Sequence, residues 1–484
     1  MQLAAVESLP LAEDDQVNAL IRTLADPADA VRNLAIERLE KLPADKRSLL
    51  VAQMGTHSRW VRDGLFEIAA KLDLKAVDMF NFCRNQLQFA YEALQRSHFL
   101  SSKEENAATR MMQEHLEEIC QHRVNNAIMG VAARDPEGRI KIALRGLDSG
   151  NERERSDSIE ALEALLDKPL GNLLLPMLDN RPKYELLAVG RKHFGLGDLD
   201  EQEFVEGCLN DTSWVTIVMV LECLAIWGNI DPYREAIEKI VAEGYGALGH
   251  TASHALHSAV GAHEEPLSCL IERINNIRMV DLFHGLTIGQ LAAVAWKSEV
   301  LSFGPDEVIA SADMPNQGLQ MIVHGDIAFR KVLAGDPGHG TELHRIGAGD
   351  WFGAAVMFGM QPPAALIAKT VNDVLLIRLD RQTFQYLTHE YPALGLEVCK
   401  GLSKTLGQAM QDLKHKPVPV ERDIADDQRA LNGSYCTTPE ECSLVDRIFF
   451  LRHIDLFMQL ETDALTAIAM LGEEIVLQKD EQIK

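Results

Sequence analysis

The sequence predicts a mainly α protein with one β domain towards its C-terminal end. Three observations carry that reading. Residues 14–258 run as helix after helix, with apolar residues three and four apart and no strand alternation. From Glu299 the texture changes to short alternating runs broken by Gly, Pro, Asp and Asn, which is the pattern of a small sandwich or barrel. A length of 484 residues exceeds what one core can organise and points to about three domains.

The bulk numbers narrow the function. With 46% hydrophobic and 25% charged residues the composition is that of a globular chain. No apolar run reaches the roughly 18 residues of a membrane span, and Met1 to Val17 places no basic residue ahead of its short apolar stretch, unlike a secretory signal. The expected location is cytoplasmic, at most on the cytosolic face of a membrane protein, with no direct membrane insertion. Forty-seven basic against 72 acidic side chains leave a formal charge of −25. A surface this acidic repels phosphate backbones, so no nucleic-acid partner is expected. Most of the eight cysteines sit singly in apolar helical contexts. The one close pair, Cys436 and Cys442, lacks zinc-knuckle spacing, so neither a metal nor a disulfide is expected there.

Within the helical region a unit recurs. Asp26-Pro27 is followed by Val31-Arg32, Leu34, Ala35 and Leu39, and thirty residues on Ser58 is followed by Val61-Arg62, Leu65, Phe66 and Ala69. Weaker copies run from Leu147-Asp148-Ser149 through Arg153, Arg155, Ile159 and Leu162, and from Leu209-Asn210-Asp211 through Trp214, Val215, Val218 and Leu221. The unit is a helix, a turn bearing Asp, Asn or Ser, then a helix with Val and Arg in its first turns. It resembles HEAT-type repeats, whose helix pairs must stack to bury their apolar faces. Residues 77–130 depart from the unit and read as longer helices inserted into it. This HEAT-like α-solenoid is assigned to residues 1–264.

The strand-like runs are Glu307-Val308-Ile309, Leu319 to Val323, Ile327-Ala328-Phe329 and Val374 to Ile377, flanked by helices near 266–280 and 381–413. Lys416-Pro417-Val418-Pro419 stops the last helix, and a polar linker is assigned to 415–443. A second repeat then appears, offset by 174 residues. Asp281-Leu282-Phe283 matches Asp455-Leu456-Phe457, and fourteen identities fall within the 37 positions from Arg273 to Ile309. Residues 444–484 therefore read as the start of a second copy of the β domain. It stops where its strands should begin, so the sequence is expected to be a fragment of a longer protein.

The stretches Asp281-Leu282-Phe283, Gly318 to Ile327 and Gly349-Asp350-Trp351-Phe352-Gly353 together resemble the cyclic-nucleotide-binding domain of catabolite activators, kinase regulatory subunits and gated channels. The resemblance covers about 270–414 and implies a β-roll with flanking helices over 265–414. It also implies where a ligand would sit. A short helix after the Phe-Gly offers backbone N–H groups to a cyclic phosphate, a glutamate after the glycine accepts the ribose hydroxyl, and an arginine further on pairs with the phosphate. The glutamate position holds Ala354 and, counting back from Ala368-Lys369-Thr370, the arginine position holds Pro362. The expected pocket, Gly353, Ala354, Ala355, Pro362, Pro363 and Ala364, thus lacks both ligand-holding side chains. Each such loss typically costs roughly 2–5 kcal/mol. Lys369, the nearby cation, reads as a solvated strand residue.

The order of helical repeats then roll resembles the cytoplasmic extension of bacterial transporters similar to ATP/ADP translocases, with Arg145 to Arg153 and Leu175 to Leu178 carrying the likeness. That order implies a non-enzymatic regulatory or interaction module without cofactor. Its partner would be another protein or the transporter domain of the same longer chain. Leu394, Leu396, Val398, Leu402 and Leu406 offer a seam for a homodimer through the helix after the roll. The alternative is a sensing domain that binds a cyclic nucleotide or another small anion in the roll.

Sharper chemistry finds little footing. His250, His254 and His257 share one helix face, with His263 beyond, but the intervening small residues suit close helix packing better than zinc. Gly335 to Gly340 has no lysine or following helix of a phosphate loop and reads as a hairpin tip. Gly401-Leu402-Ser403-Lys404 belongs to an amphipathic helix and not to a nucleophile elbow. No catalytic residues are assigned.

Overall fold

The computed structural model describes residues 2–403, except residues 12, 27, 57, 73, 75, 180 and 245 and the stretches 136–137, 148–150, 259–266, 312–313, 315–317, 334–335, 358–365 and 392–393. The linker at 415–443, the second copy at 444–484, Cys436, Cys442, Leu406 and His263 lie outside the described residues.

Four early helices of the repeat-like region pack on one another. The helices Asp14–Thr23 and Asp29–Leu39 pack together, and against them lie Ser48–Gln53 and Arg59–Lys71. Val31 and Val61 are buried between these helices. Arg32 turns back to donate to the Asp26 carbonyl at 2.6 Å, and Arg155 donates to the Leu147 carbonyl at 3.1 Å. Arg155 thereby satisfies a carbonyl at the end of Arg139–Leu147, whereas Arg62 bonds the Asp63 carboxylate and His122 instead.

The inserted segment is a hairpin of two long helices, Ala76–Leu100 and Ala107–Ala132, the second opened by an Asn106–Thr109 capping box. Each spans about 38 Å at 1.5 Å per residue. They approach closely because Gly130 faces Cys83 and Phe82, where a Cβ would collide with the sulfur. The polar centre of the hairpin is satisfied internally: Asn126 and Arg123 both donate to the Gln86 side-chain oxygen, at 3.2 and 3.3 Å.

Among the described residues eight strands follow: β1 (Glu299–Phe303), β2 (Val308–Ala310), β3 (Leu319–His324), β4 (Ile327–Leu333), β5 (Asp336–Ile346), β6 (Trp351–Phe352), β7 (Leu366–Thr370) and β8 (Val374–Leu379). They form two four-stranded antiparallel sheets, β1-β8-β3-β6 and β2-β7-β4-β5, the strand order of a double-sheet jelly roll. The roll interior is Ile309, Ile322, Ile327, Phe352, Ala368, Val374 and Leu376.

Apolar packing among the described residues ties the helices to the roll. One core gathers Val6 to Leu186 and a second runs from Leu100 through Phe204, Val218 and Phe283 to Leu319, Ile377 and Val398. The helix Ala107–Ala132 gives Met112 and Leu116 to the second and Val124 and Ala127 to the first. The core is continuous across 264/265. β3 and β8 explain how: Ile322 and Leu376 point into the roll, whereas Leu319, Met321, Ile377 and Leu379 point into the helical core. Their sheet is apolar on both faces, so it cannot stand alone in water.

Three readings need correction. Leu333 pairs with Asp336, so residues 336–340 belong to β5 and not to a hairpin tip; glycines in a strand accompany register shifts, here after Phe329 and Lys331. The helix after the roll is not continuous. Arg381–Glu390 ends at Tyr391, whose φ of −126° and ψ of 78° suit a residue preceding proline, and helix resumes over 394–403. Lys369 lies on β7 as expected but is ion-paired, with Asp306 at 2.9 Å.

Candidate functional site

The site begins where β6 crosses β3. Ile322 exchanges backbone hydrogen bonds with Gly349 and Asp350, both at 2.9 Å, which sets Trp351 and Phe352 beside Met321 and Gln320. Phe352 closes the roll interior edge-on to Phe329, with ring centres 5.5 Å apart. The chain then turns through Gly353 at φ +84°. A Cβ at Gly353 would collide with the Gly318 carbonyl oxygen, and one at Gly318 (φ +52°) with that of Leu379, so this crossing requires glycine twice.

Immediately after the turn lies the short helix Ala354–Met357, containing Ala355. Ala354 and Met357 are only 4% and 3% exposed and belong to the core that holds Leu319, Met321, Ile377 and Phe384. The position after the glycine therefore faces apolar packing. No residue from 353 to 357 carries an ionisable group. Pro362, Pro363 and Ala364 lie outside the described residues.

His250 and His257, on Ala247–Ser258, make different contacts. The His250 ring lies 5.9 Å from Trp296, and His257 Nδ1 is 2.6 Å from its own helix's Ser253 carbonyl. Burial holds His250 below the usual imidazole range, with Arg273 and His254 adding to the effect. Among the described residues no three His, Cys, Asp or Glu side chains converge as metal ligands.

Sequence reasoning missed the devices that hold roll to helices. Two carboxylates from the helical region cap the helices leading into β1. Glu222, buried on Trp214–Trp227, accepts from Leu270 N at 3.2 Å and Cys269 Sγ at 2.9 Å, at the start of Leu270–Arg278. Burial, then the Glu222 charge, pushes the Cys269 thiol up and keeps it protonated as donor. Glu118, on Ala107–Ala132, accepts from Ile288 N with both oxygens at 2.9 Å, opening Ile288–Lys297. A third tie joins the first helices to the helix that leaves the roll. Trp60 Nε1 donates to the His389 carbonyl at 2.6 Å, their rings stack 5.6 Å apart, and the Arg32 guanidinium sits 4.2 Å over the indole. One signal was legible: Glu222 is the only charged residue of its fourteen-residue helix.

Glu118 makes this junction pH-dependent. Desolvation pushes its carboxyl up to about 7, assisted by Glu114; the N–H groups of Ile288 and Gly289, and Arg278, oppose it. Arg278 is itself paired with Glu114 at 2.7 Å. An acid raised on folding binds its proton more tightly in the folded state. Its contribution is therefore present at low pH and lost as pH rises from about 4.5 to about 7. The expected result is a stability loss on the order of 2 kcal/mol between pH 5 and 8 that Glu118→Gln removes. Urea midpoints of both proteins across that range check it, and parallel curves would refute it.

Among the described residues no helix is long and apolar enough to cross a membrane. No protein-family model and no curated protein matches the chain. Among solved structures, the sensor domain of the transcriptional regulator DNR from Pseudomonas aeruginosa is similar at 17% identity and TM-score 0.25, covering 31% of this chain and 94% of that one. The catabolite activator protein of Thermus thermophilus is similar at 21% identity and TM-score 0.24, covering 28% and 62%. The regulatory domain of Toxoplasma gondii PKA, solved with cAMP, is similar at 17% identity and TM-score 0.23, covering 29% and 50%.

Proposed function

We propose that this chain is a non-enzymatic regulatory and interaction module, in which a degenerate roll of the cyclic-nucleotide-binding type has become a scaffold held by HEAT-like helices. The observation that carries the reading is the burial of Ala354. Where the resemblance calls for a ribose-binding glutamate, a methyl group sits 4% exposed in the core. A missing acid on an open pocket wall leaves room for another ligand. A position turned into apolar packing does not.

The ties at Glu118, Glu222 and Trp60 support the same reading, because a docking surface gains affinity when its parts are already fixed relative to one another. The partner is another protein or the membrane-transporter domain of a longer chain, on its cytosolic side. After the roll, Leu394 and Val398 are buried within the chain, while Leu396 is exposed and available to a second copy.

Cyclic AMP and cyclic GMP at up to millimolar concentration are expected to leave the melting temperature unchanged. A ligand at 100 times its dissociation constant would add about 2.7 kcal/mol. A shift of several degrees with either nucleotide would overturn the scaffold reading in favour of a sensing roll.

A further inference from the structure

We infer that a pocket among the helices, well apart in sequence from the roll, binds a small phosphate monoester. The pocket has a volume of ≈ 340 Å³ and is lined by Phe80, Arg84, Lys168, Pro169, Asn172, Leu173 and His193. Three helices meet there: Ala76–Leu100 brings Phe80 and Arg84, Lys168–Leu178 brings Lys168 to Leu173, and Lys183–Phe194 brings His193. The size is at the small end of the range for ligand sites.

Its charge is what sets it apart. The chain carries 25 more acidic than basic side chains, yet this pocket is lined by Arg, Lys and His and by no Asp or Glu. Cations nearby are neutralised locally: Arg134 by Asp167 at 3.3 Å, Arg181 by Asp179 at 3.1 Å, and Arg191 by Asp198. Neither Arg84 nor Lys168 pairs with any described carboxylate. Like charges gathered in a concavity repel one another, and in a protein with acid to spare such a cluster persists most economically where an anion neutralises it.

The geometry suits phosphate. The Arg84 guanidinium lies 5.1 Å over the Phe194 ring, which holds the fork in place and leaves its N–H donors free of a competing carboxylate. Lys168 is the first residue of its helix, at the end where the backbone field favours negative charge. The N-cap acid there, Asp167, is engaged with Arg134. Asn172 supplies an amide donor. The remaining wall is apolar, Phe80, Pro169 and Leu173, and Leu173 is anchored by its carbonyl, which accepts from the buried Tyr91 hydroxyl at 2.9 Å. Basic side chains set beside Phe80, Pro169 and Leu173 select a phosphate attached to a small apolar or planar group over the bare ion.

Titration calorimetry of the full chain with inorganic phosphate and with phenyl phosphate, at matched chloride ionic strength, tests this. Phenyl phosphate is expected to bind at least about tenfold tighter than inorganic phosphate. Arg84→Ala and Lys168→Gln should each weaken it about tenfold or more, since each removes a charged partner of the phosphate. Lys168 is exposed, so its variant should keep the parental circular dichroism and melting point even if Arg84→Ala does not. Absence of binding to about 10 mM, affinity retained in Lys168→Gln, or equal affinity for the two probes would each overturn the assignment.

Discussion

Glutamate placed at Ala354 is expected to destabilise the chain by about 3–5 kcal/mol, the cost of an uncompensated buried charge, and not to restore nucleotide binding. The methyl group is buried in the core that also holds Leu319, Met321 and Ile377, and no cation belongs to the short helix that carries it. A carboxylate there has two outcomes. It ionises without a partner, or it takes up a proton and still strains a packed core. The deficit should therefore shrink as pH falls through the range in which a buried carboxyl protonates. Urea denaturation at pH 8 and pH 5 reads both effects. If Ala354→Glu matched the parent within about 0.5 kcal/mol at pH 8, the position would be open to solvent and the scaffold reading would lose its main support.

Loss of Glu222 should be nearly as costly. Glu222→Ala leaves the Leu270 N–H and the Cys269 thiol without their acceptor in a buried site, and opens a void beneath Leu270–Arg278. The expected loss is about 2–4 kcal/mol, with Glu222→Gln recovering much of it by offering a neutral oxygen. Hydrogen exchange supplies a readout that general destabilisation does not reproduce. In Glu222→Ala the amide of Leu270 should lose more protection than those of β3 and β8. Uniform loss across all three would mean that the carboxylate serves the core at large and not this helix start.

Much of the fold was legible because its signals are local. The Val-Arg turns and the Gly-bounded strands can each be read within a dozen residues, and the long helices Ala76–Leu100 and Ala107–Ala132 from an unbroken apolar period. Pro362 lies outside the described residues, but its identity and that of Ala354, where the resemblance calls for an arginine and a glutamate, were legible from the residues alone. That Ala354 points inward was not, because the direction of a residue after a left-handed glycine is set by the crossing of Gly318 and Gly353. The carboxylate caps split the same way. Glu222 stands out as the one charge in an apolar helix, whereas Glu118 is hidden among Glu114 and Glu117 on a helix with acidic neighbours. The break at Tyr391 is written in the proline after it, but the amphipathic period from Arg381 onward masks that signal.

The core that joins Leu100, Met111, Met112 and Leu116 to Leu394 and Val398 has a consequence for synthesis. A ribosome adding about 5–20 residues per second needs roughly 15–60 s to pass from the first of these side chains to the last. The core up to Leu186 can close early, but the far end of the long hairpin emerges with its apolar face bare and its partners unmade. Neither the roll nor the helices before it can finish alone, since β3 and β8 complete both. The nascent chain is thus exposed to aggregation for most of its translation. Slowing initiation or supplying a holding chaperone should raise the soluble yield more than any change to the finished surface.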